Sequence, residues 1–148
     1  MPAMEDAASR AAQSARELTR RIGQDHHDVL VVLGTGLSIV AETLGAGEDS
    51  LPLDTLPYFP AYSAGGHRAH GWSVPIDGRL VLVLGGRCHL YEGLDAVEVV
   101  HPVRTGIAAG CIRLVMVRPD RPQLPLPFEK IFSAAGEPRE VSQRSSRL

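Results

Sequence analysis

Aromatic residues are scarce in this chain. Three Phe, three Tyr and one Trp stand among 148 residues, so the core cannot rest on large rings. Small residues such as Gly, Ala and Val are plentiful instead, the composition of tightly packed α/β units. Two cysteines, Cys88 and Cys111, are far apart and in no metal-ligand spacing, which excludes a disulfide framework and a zinc site built on cysteine. A net charge of −2 with histidines neutral leaves no broad attraction for nucleic acid. No apolar stretch approaches the length that spans a bilayer, and the N-terminus has no signal-like apolar core. The expectation is one reduced, cytoplasmic domain with no nucleic-acid or membrane partner.

What is present is a set of short apolar runs broken by glycine. Residues 5 to about 22 carry Ala8, Ala11, Ala12, Ala15, Leu18 and Ile22 at helical spacing. Arg20 and Arg21 suit the C-terminal end of that helix, and Gly23 can close it. Val29–Leu33 reads as a strand buried on both faces, and Gly34-Thr35-Gly36 turns from it into a short helix over 37–44. Prolines make 56–60 irregular, and 63–67 reads as a Gly-rich loop. Two runs, 72–76 and 79–84, flank Asp77-Gly78, the signal of a type I′ hairpin. Residues 95–110 read as a helix in which Pro102 bends the axis or marks the first turn, and 114–117 as a further strand. The division expected is an α/β body over 1–117 and a Pro-, Arg- and Ser-rich tail over 118–148, extended or disordered.

Chemistry concentrates after the run Leu80–Leu84. Gly85-Gly86-Arg87-Cys88-His89-Leu90-Tyr91-Glu92-Gly93 gathers a guanidinium, an imidazole, a phenol and a carboxylate at the end of a buried strand, where α/β sheets bind ligands. Arg is a planar fork for phosphate oxygens. His donates to an anion and titrates near neutrality. Tyr offers a flat face and a hydroxyl to a ribose. The alternative is an exposed loop whose charges pair with one another. Cys88, alternating with Arg87 and His89, points inward as a small hydrophobe. Gly34-Thr35-Gly36 lets backbone amides and a hydroxyl approach an anion at a helix start, although such turns also occur with no ligand. His67 in its glycine loop either swings onto that anion or stays a surface histidine. A metal reading through His67, His70 and His89 lacks ligand spacing. His101 and Arg104 are read as a solvated or subunit-facing helix surface, and Tyr58, Phe59 and Tyr62 as cover for a ligand, a subunit or their own chain.

Taken in order, Val31-Val32-Leu33-Gly34-Thr35-Gly36-Leu37, Leu56-Pro57-Tyr58-Phe59-Pro60, Gly66-His67, Gly86-Arg87-Cys88-His89-Leu90-Tyr91-Glu92-Gly93 and Pro102-Val103-Arg104 resemble the purine nucleoside phosphorylases of the trimeric, 6-oxopurine type. The resemblance covers about residues 10 to 116. It implies a mixed central β-sheet flanked by helices, incomplete here. It also implies phosphorolysis of purine (deoxy)nucleosides to free base and (deoxy)ribose 1-phosphate. Phosphate is then a co-substrate, no metal or organic cofactor takes part, and the full-length family is a homotrimer. By the same resemblance Thr35, His67, Arg87 and His89 bind phosphate, Tyr91 covers ribose, and His89 and Glu92 are catalytic, Glu92 by supporting the phosphate site.

The resemblance stops after Val117. Where the family continues into a Thr-Asn-Ala-Ala-Gly-Gly segment, this chain reads Val117-Arg118-Pro119-Asp120-Arg121, and the later purine-gripping Glu and Asn have no counterpart. The expectation is a shortened chain that need not turn over substrate and whose tail arises from a frameshift or a truncated gene. It would fold weakly when expressed alone. A non-catalytic phosphate-binding or subunit-docking remnant and a non-functional gene product are the alternatives.

Overall fold

The computed structural model describes residues 6–34, 37–61, 69–86, 88, 92–117 and 126–127. The first helix, α1, runs Ala7–Ile22. Asp6 caps its start by accepting from the Ala8 amide, and Gly23, at φ 74°, ends it with a bond to the Thr19 carbonyl. Val29–Leu33 follows as β1, then the short α2 over Ser38–Thr43. Leu51–Pro52 (β2) leads into a single 3₁₀ turn at Leu53–Thr55. His70–Ile76 (β3) and Arg79–Gly85 (β4) form a hairpin. Its turn holds Asp77 at φ 49° and Gly78 at φ 73°, the two positive angles that a type I′ turn requires. Ala96–Ala108 is α3, Arg113–Val117 is β5, and Leu126–Pro127 is a two-residue β6.

The strand order is β2-β3-β4-β1-β5-β6. The centre is parallel: Val29 stands beside Val81 and Arg113, and Leu33 beside Gly85 and Val117. β2, β3 and β6 pair antiparallel at the flanks. The sheet is therefore mixed, as the resemblance implied.

Period-two alternation divides the sheet's side chains between two cores. Leu30, Val32, Leu82, Leu84 and Leu114 pack with Leu18 of α1 and with Val103 and Ile107 of α3. Val31, Leu33, Val81 and Val83 pack on the other face with Ala41, Val40 and Leu37, the last just ahead of α2. Gly106 lets α3 lie on β1, because a Cβ there would meet Leu30 Cδ2 at 2.6 Å.

One alternative falls and one expectation changes. Pro102 does not mark the first turn of α3; it lies in the helix interior, the position of the other alternative, and is buried. There it removes the amide that would bond the Glu98 carbonyl, and the reciprocal capping of Asp95 and Glu98 secures the helix start instead. His101 is no surface residue either, since it is only 4% exposed. Of the tail, the described pair Leu126–Pro127 is extended against Arg113 and Leu114.

The opposite end of the sheet is knitted by a polar hub. The His27 amide bonds the Ala109 carbonyl, the Asp28 amide bonds the Leu80 carbonyl, and the Ile112 amide bonds the Asp28 carbonyl. Asp28 Oδ2 accepts from the Leu80 amide at 2.9 Å. His27 is fully buried, with Nε2 2.9 Å from Ser73 Oγ and Nδ1 lacking a partner. Burial foremost, and then His26, push its pKa down to about 4, against an opposing pull from Asp28. The folded state thus holds the neutral ring. Stability is full above the unfolded pKa near 6.5 and is lost as the pH falls from there toward 4. We expect the loss to be on the order of 2 kcal/mol after discounting for solvent screening. Urea unfolding between pH 7.5 and 4 should show it, and His27→Gln should flatten that part of the profile. An equal slope in the variant would remove His27 from the explanation.

Candidate active site

The parallel strands β4, β1 and β5 end together. In register, Leu33 stands between Gly85 and Val117. Beyond the strands the pairing continues for one more bond on each side. The Gly34 amide donates to the Val117 carbonyl at 2.8 Å, and the Gly86 amide donates to the Leu33 carbonyl at 3.2 Å. The chain therefore leaves β1 at Gly34 and β4 at Gly86 from neighbouring points. This is the carboxyl edge at which open α/β sheets take ligands.

Glycine is needed at both positions that close β4. Gly86 has φ 108°, and a Cβ there would approach Ala69 Cβ to 3.1 Å. A Cβ on Gly85 would strike the Trp72 ring at 2.7 Å. Trp72 in turn stacks on His70, with centroids 6.1 Å apart. His70 opposes Gly85 in the sheet register, and its Nδ1 is 2.8 Å from Ser50 Oγ. Of the three histidines weighed for a metal, His70 alone lies among the described residues, and it is engaged with Ser50. No group of three metal-ligating side chains occurs among the described residues.

Cys88 is 3% exposed, so the inward orientation expected from alternation is the observed one. Glu92 is half-buried and has an interaction partner. It sits just before Gly93, at φ 83°, and the Asp95 cap of α3. Thr35, His67, Arg87, His89 and Tyr91 lie outside the described residues. The structure thus brings together the strand ends that lead into Thr35 and Arg87, and places Glu92 at the foot of α3.

A polar cluster missed in the sequence reading joins α1 to α3. Ser14 is fully buried, and its Oγ is 2.8 Å from His101 Nε2 and 2.5 Å from the Pro57 carbonyl, to which it donates. Its sequence signal was a serine inside the apolar stripe of Ala11, Ala15 and Leu18, where a buried hydroxyl requires a partner. Burial first, with the charges of Arg10 and Arg104, lowers the pKa of His101, partly offset by the bond to Pro57. Cys111 is inert as a nucleophile, because burial pushes its thiol up to about 12.

No protein-family model matches the chain. Among curated proteins it is similar to the purine nucleoside phosphorylase of Mycobacterium leprae, with 46% identity over 106 residues, covering 72% of this chain and 40% of that protein. The purine nucleoside phosphorylase of Mycobacterium tuberculosis is 44% identical over 106 residues, with the same coverage of 72% and 40%. Among solved structures, isoform 2 of purine nucleoside phosphorylase from Schistosoma mansoni, in complex with cytosine and ribose-1-phosphate, superposes with a TM-score of 0.62. The identity is 26%, over 72% of this chain and 37% of that one. The chain spans about 40% of the length of the curated relatives it matches.

Proposed function

We propose that this chain, which belongs to the purine nucleoside phosphorylase family, carries the phosphate and ribose side of a nucleoside-phosphorolysis site. The observation that supports this most is the junction of β1 and β4, where the Gly86 amide bonds the Leu33 carbonyl. Covalent continuity keeps Thr35 one peptide beyond Gly34 and Arg87 one peptide beyond Gly86, and successive Cα atoms are ~3.8 Å apart. The described chain therefore leaves for these two residues from neighbouring strand ends.

In this reading Arg87, His89, Thr35 and His67 hold inorganic phosphate, Tyr91 covers the ribose, and Glu92 orients the phosphate shell. A phosphate oxygen attacks the anomeric carbon as the glycosidic C–N bond breaks, and the bonding pair leaves with the purine. Positive charge grows on the sugar and negative charge on the base. An anion fixed under the sugar stabilises the first and supplies the nucleophile. The products are free base and (deoxy)ribose 1-phosphate, and no metal or organic cofactor enters the reading. The relatives' oligomeric arrangement, expected to be a trimer, and a cytoplasmic location belong to the same proposal. No helix among the described residues is long and apolar enough to cross a membrane.

The purified chain should be incubated with inosine or guanosine, with and without phosphate, and the release of base followed. Phosphate-dependent release supports the enzyme. The second reading is a phosphate-binding module without turnover. Phosphate-dependent thermal stabilisation with no base released would select it, and neither response would refute both.

A further inference from the structure

We infer that His101 is a pH-sensitive clasp: its neutral ring pins the Pro57–Phe59 turn onto the seam between α1 and α3, and a proton on that ring releases the turn while the sheet stays folded. The inference is independent of the phosphate reading, and every group it uses lies among the described residues.

The turn meets the seam at each of its three residues. The Pro57 carbonyl accepts from Ser14 Oγ of α1. Because the hydroxyl proton goes there, the 2.8 Å contact between Ser14 Oγ and His101 Nε2 needs the imidazole as donor, so the neutral ring carries its proton on Nε2. Thr105 Oγ1, 3.5 Å from the same nitrogen, donates to the His101 carbonyl at 3.0 Å and leaves that assignment unchanged. Tyr58 stands edge-on to the imidazole with centroids 6.2 Å apart, and Phe59, 8% exposed, stands edge-on to it at 5.2 Å. The neutral ring is thus the shared neighbour of Ser14, Tyr58 and Phe59.

A second proton has no welcome there. The charged and titratable groups facing the ring are Arg10 from α1, Arg104 from α3 and the Tyr58 phenol from the turn. Both guanidiniums repel an imidazolium, burial disfavours it further, and only the Pro57 carbonyl favours it. The turn itself leans toward release. Tyr58 has φ 60°, a left-handed conformation that costs free energy for a residue with a Cβ and persists only where its surroundings impose it. The opening stops short of the sheet because the flank of the turn is tied without His101: Arg21 Nη1 donates to Thr55 Oγ1 at 2.6 Å, and the Leu53 amide bonds the Ala69 carbonyl at 2.9 Å. The closed state holds a neutral ring, whereas the open state lets it titrate as a free histidine. Closure is therefore full above about pH 6.5 and weakens as the pH falls from there toward the lowered value of the seam.

The test follows amide hydrogen exchange of the full chain at pH 7.5 and pH 5, corrected for the intrinsic rate at each pH, in wild type, His101→Gln and His27→Gln. The reporters are the amides of Leu56 and Phe59, which bond the carbonyls of Leu53 and Leu56. In wild type their protection should fall several-fold at the lower pH, within the limit of about tenfold per pH unit that a single proton sets. His101→Gln keeps a donor near the Nε2 position and has no charge to gain, so it should retain protection at pH 7.5 and lose the fall. His27→Gln should keep the fall, which separates the clasp from the hub at the other end of the sheet. The titration of the His101 ring resonances in wild type gives a readout that needs no folded variant: its midpoint should lie below the ordinary histidine value, and Arg104→Met should raise it. The inference is overturned if Leu56 and Phe59 protection ignores pH, if it falls equally in His101→Gln, if it falls only in step with the amides of β1 and β4, or if the ring titrates at or above the ordinary value.

Discussion

Truncating Leu30 to Ala is expected to destabilise the fold by about 2–5 kcal/mol, a large part of the ~5–15 kcal/mol typical of a domain. Leu30 is fully buried on the central strand β1 and lies beneath Gly106 of α3. The adjacent Gly106→Ala change has the opposite fault. Its new methyl would lie 2.6 Å from Leu30 Cδ2, and such overpacking costs ~1–3 kcal/mol, offset by ~1 kcal/mol of helix preference. The two faults fill one another. The double variant should therefore be more stable than the sum of the single changes by ~0.5–3 kcal/mol in urea unfolding. Strict additivity would mean that α3 does not rest on β1 through this contact.

Replacing Arg87 with Ala should have the largest functional effect. On the proposed reading its guanidinium is the fixed fork for phosphate oxygens, and losing one preorganised group at such a site costs ~2.7–4 kcal/mol of barrier, or ~10²–10³ in rate. If the chain binds phosphate without turnover, the same substitution should abolish phosphate-dependent stabilisation. Arg87→Lys should restore little, because an ammonium is a point charge without the bidentate fork. Equal phosphate responses from wild type and both variants would remove Arg87 from the site. Unfolding in the absence of phosphate provides the control for stability.

These expectations draw unequally on sequence and structure. Val29–Leu33 was legible as a strand because a run buried on both faces leaves no room for polar residues. The hairpin turn was legible because Asp77-Gly78 tolerates two positive φ angles. The neighbours of β1 were not legible. Its pairing with β4 and β5 joins residues more than fifty positions apart, and no local pattern encodes such a register. Of the two roles the sequence left open for Pro102, the first-turn one is excluded: the residue lies inside α3, where the Asp95–Glu98 cap and the burial of the following turn hold the helix through it. His101 misled for a tertiary reason. On α3 alone it is a polar residue between Val100 and Pro102, and only Ser14, eighty-seven positions earlier, makes its burial sensible.

For the candidate site, the reading of the motif 85–93 rests on residue types alone, because Arg87, His89 and Tyr91 lie outside the described residues. The structure adds the adjacency of Gly34 and Gly86 and the inward turn of Cys88. The hub around His27 and Asp28 was invisible because its bonds run to backbone groups of other elements.

The most direct test of the phosphate site is a titration of isotope-labelled protein with inorganic phosphate, followed by amide chemical shifts. The amides of Gly34, Gly86 and Glu92 should move together with one dissociation constant, and an Arg87→Ala, His89→Ala variant should show no such movement. Shifts scattered over the surface, or none at these three amides, would contradict the account.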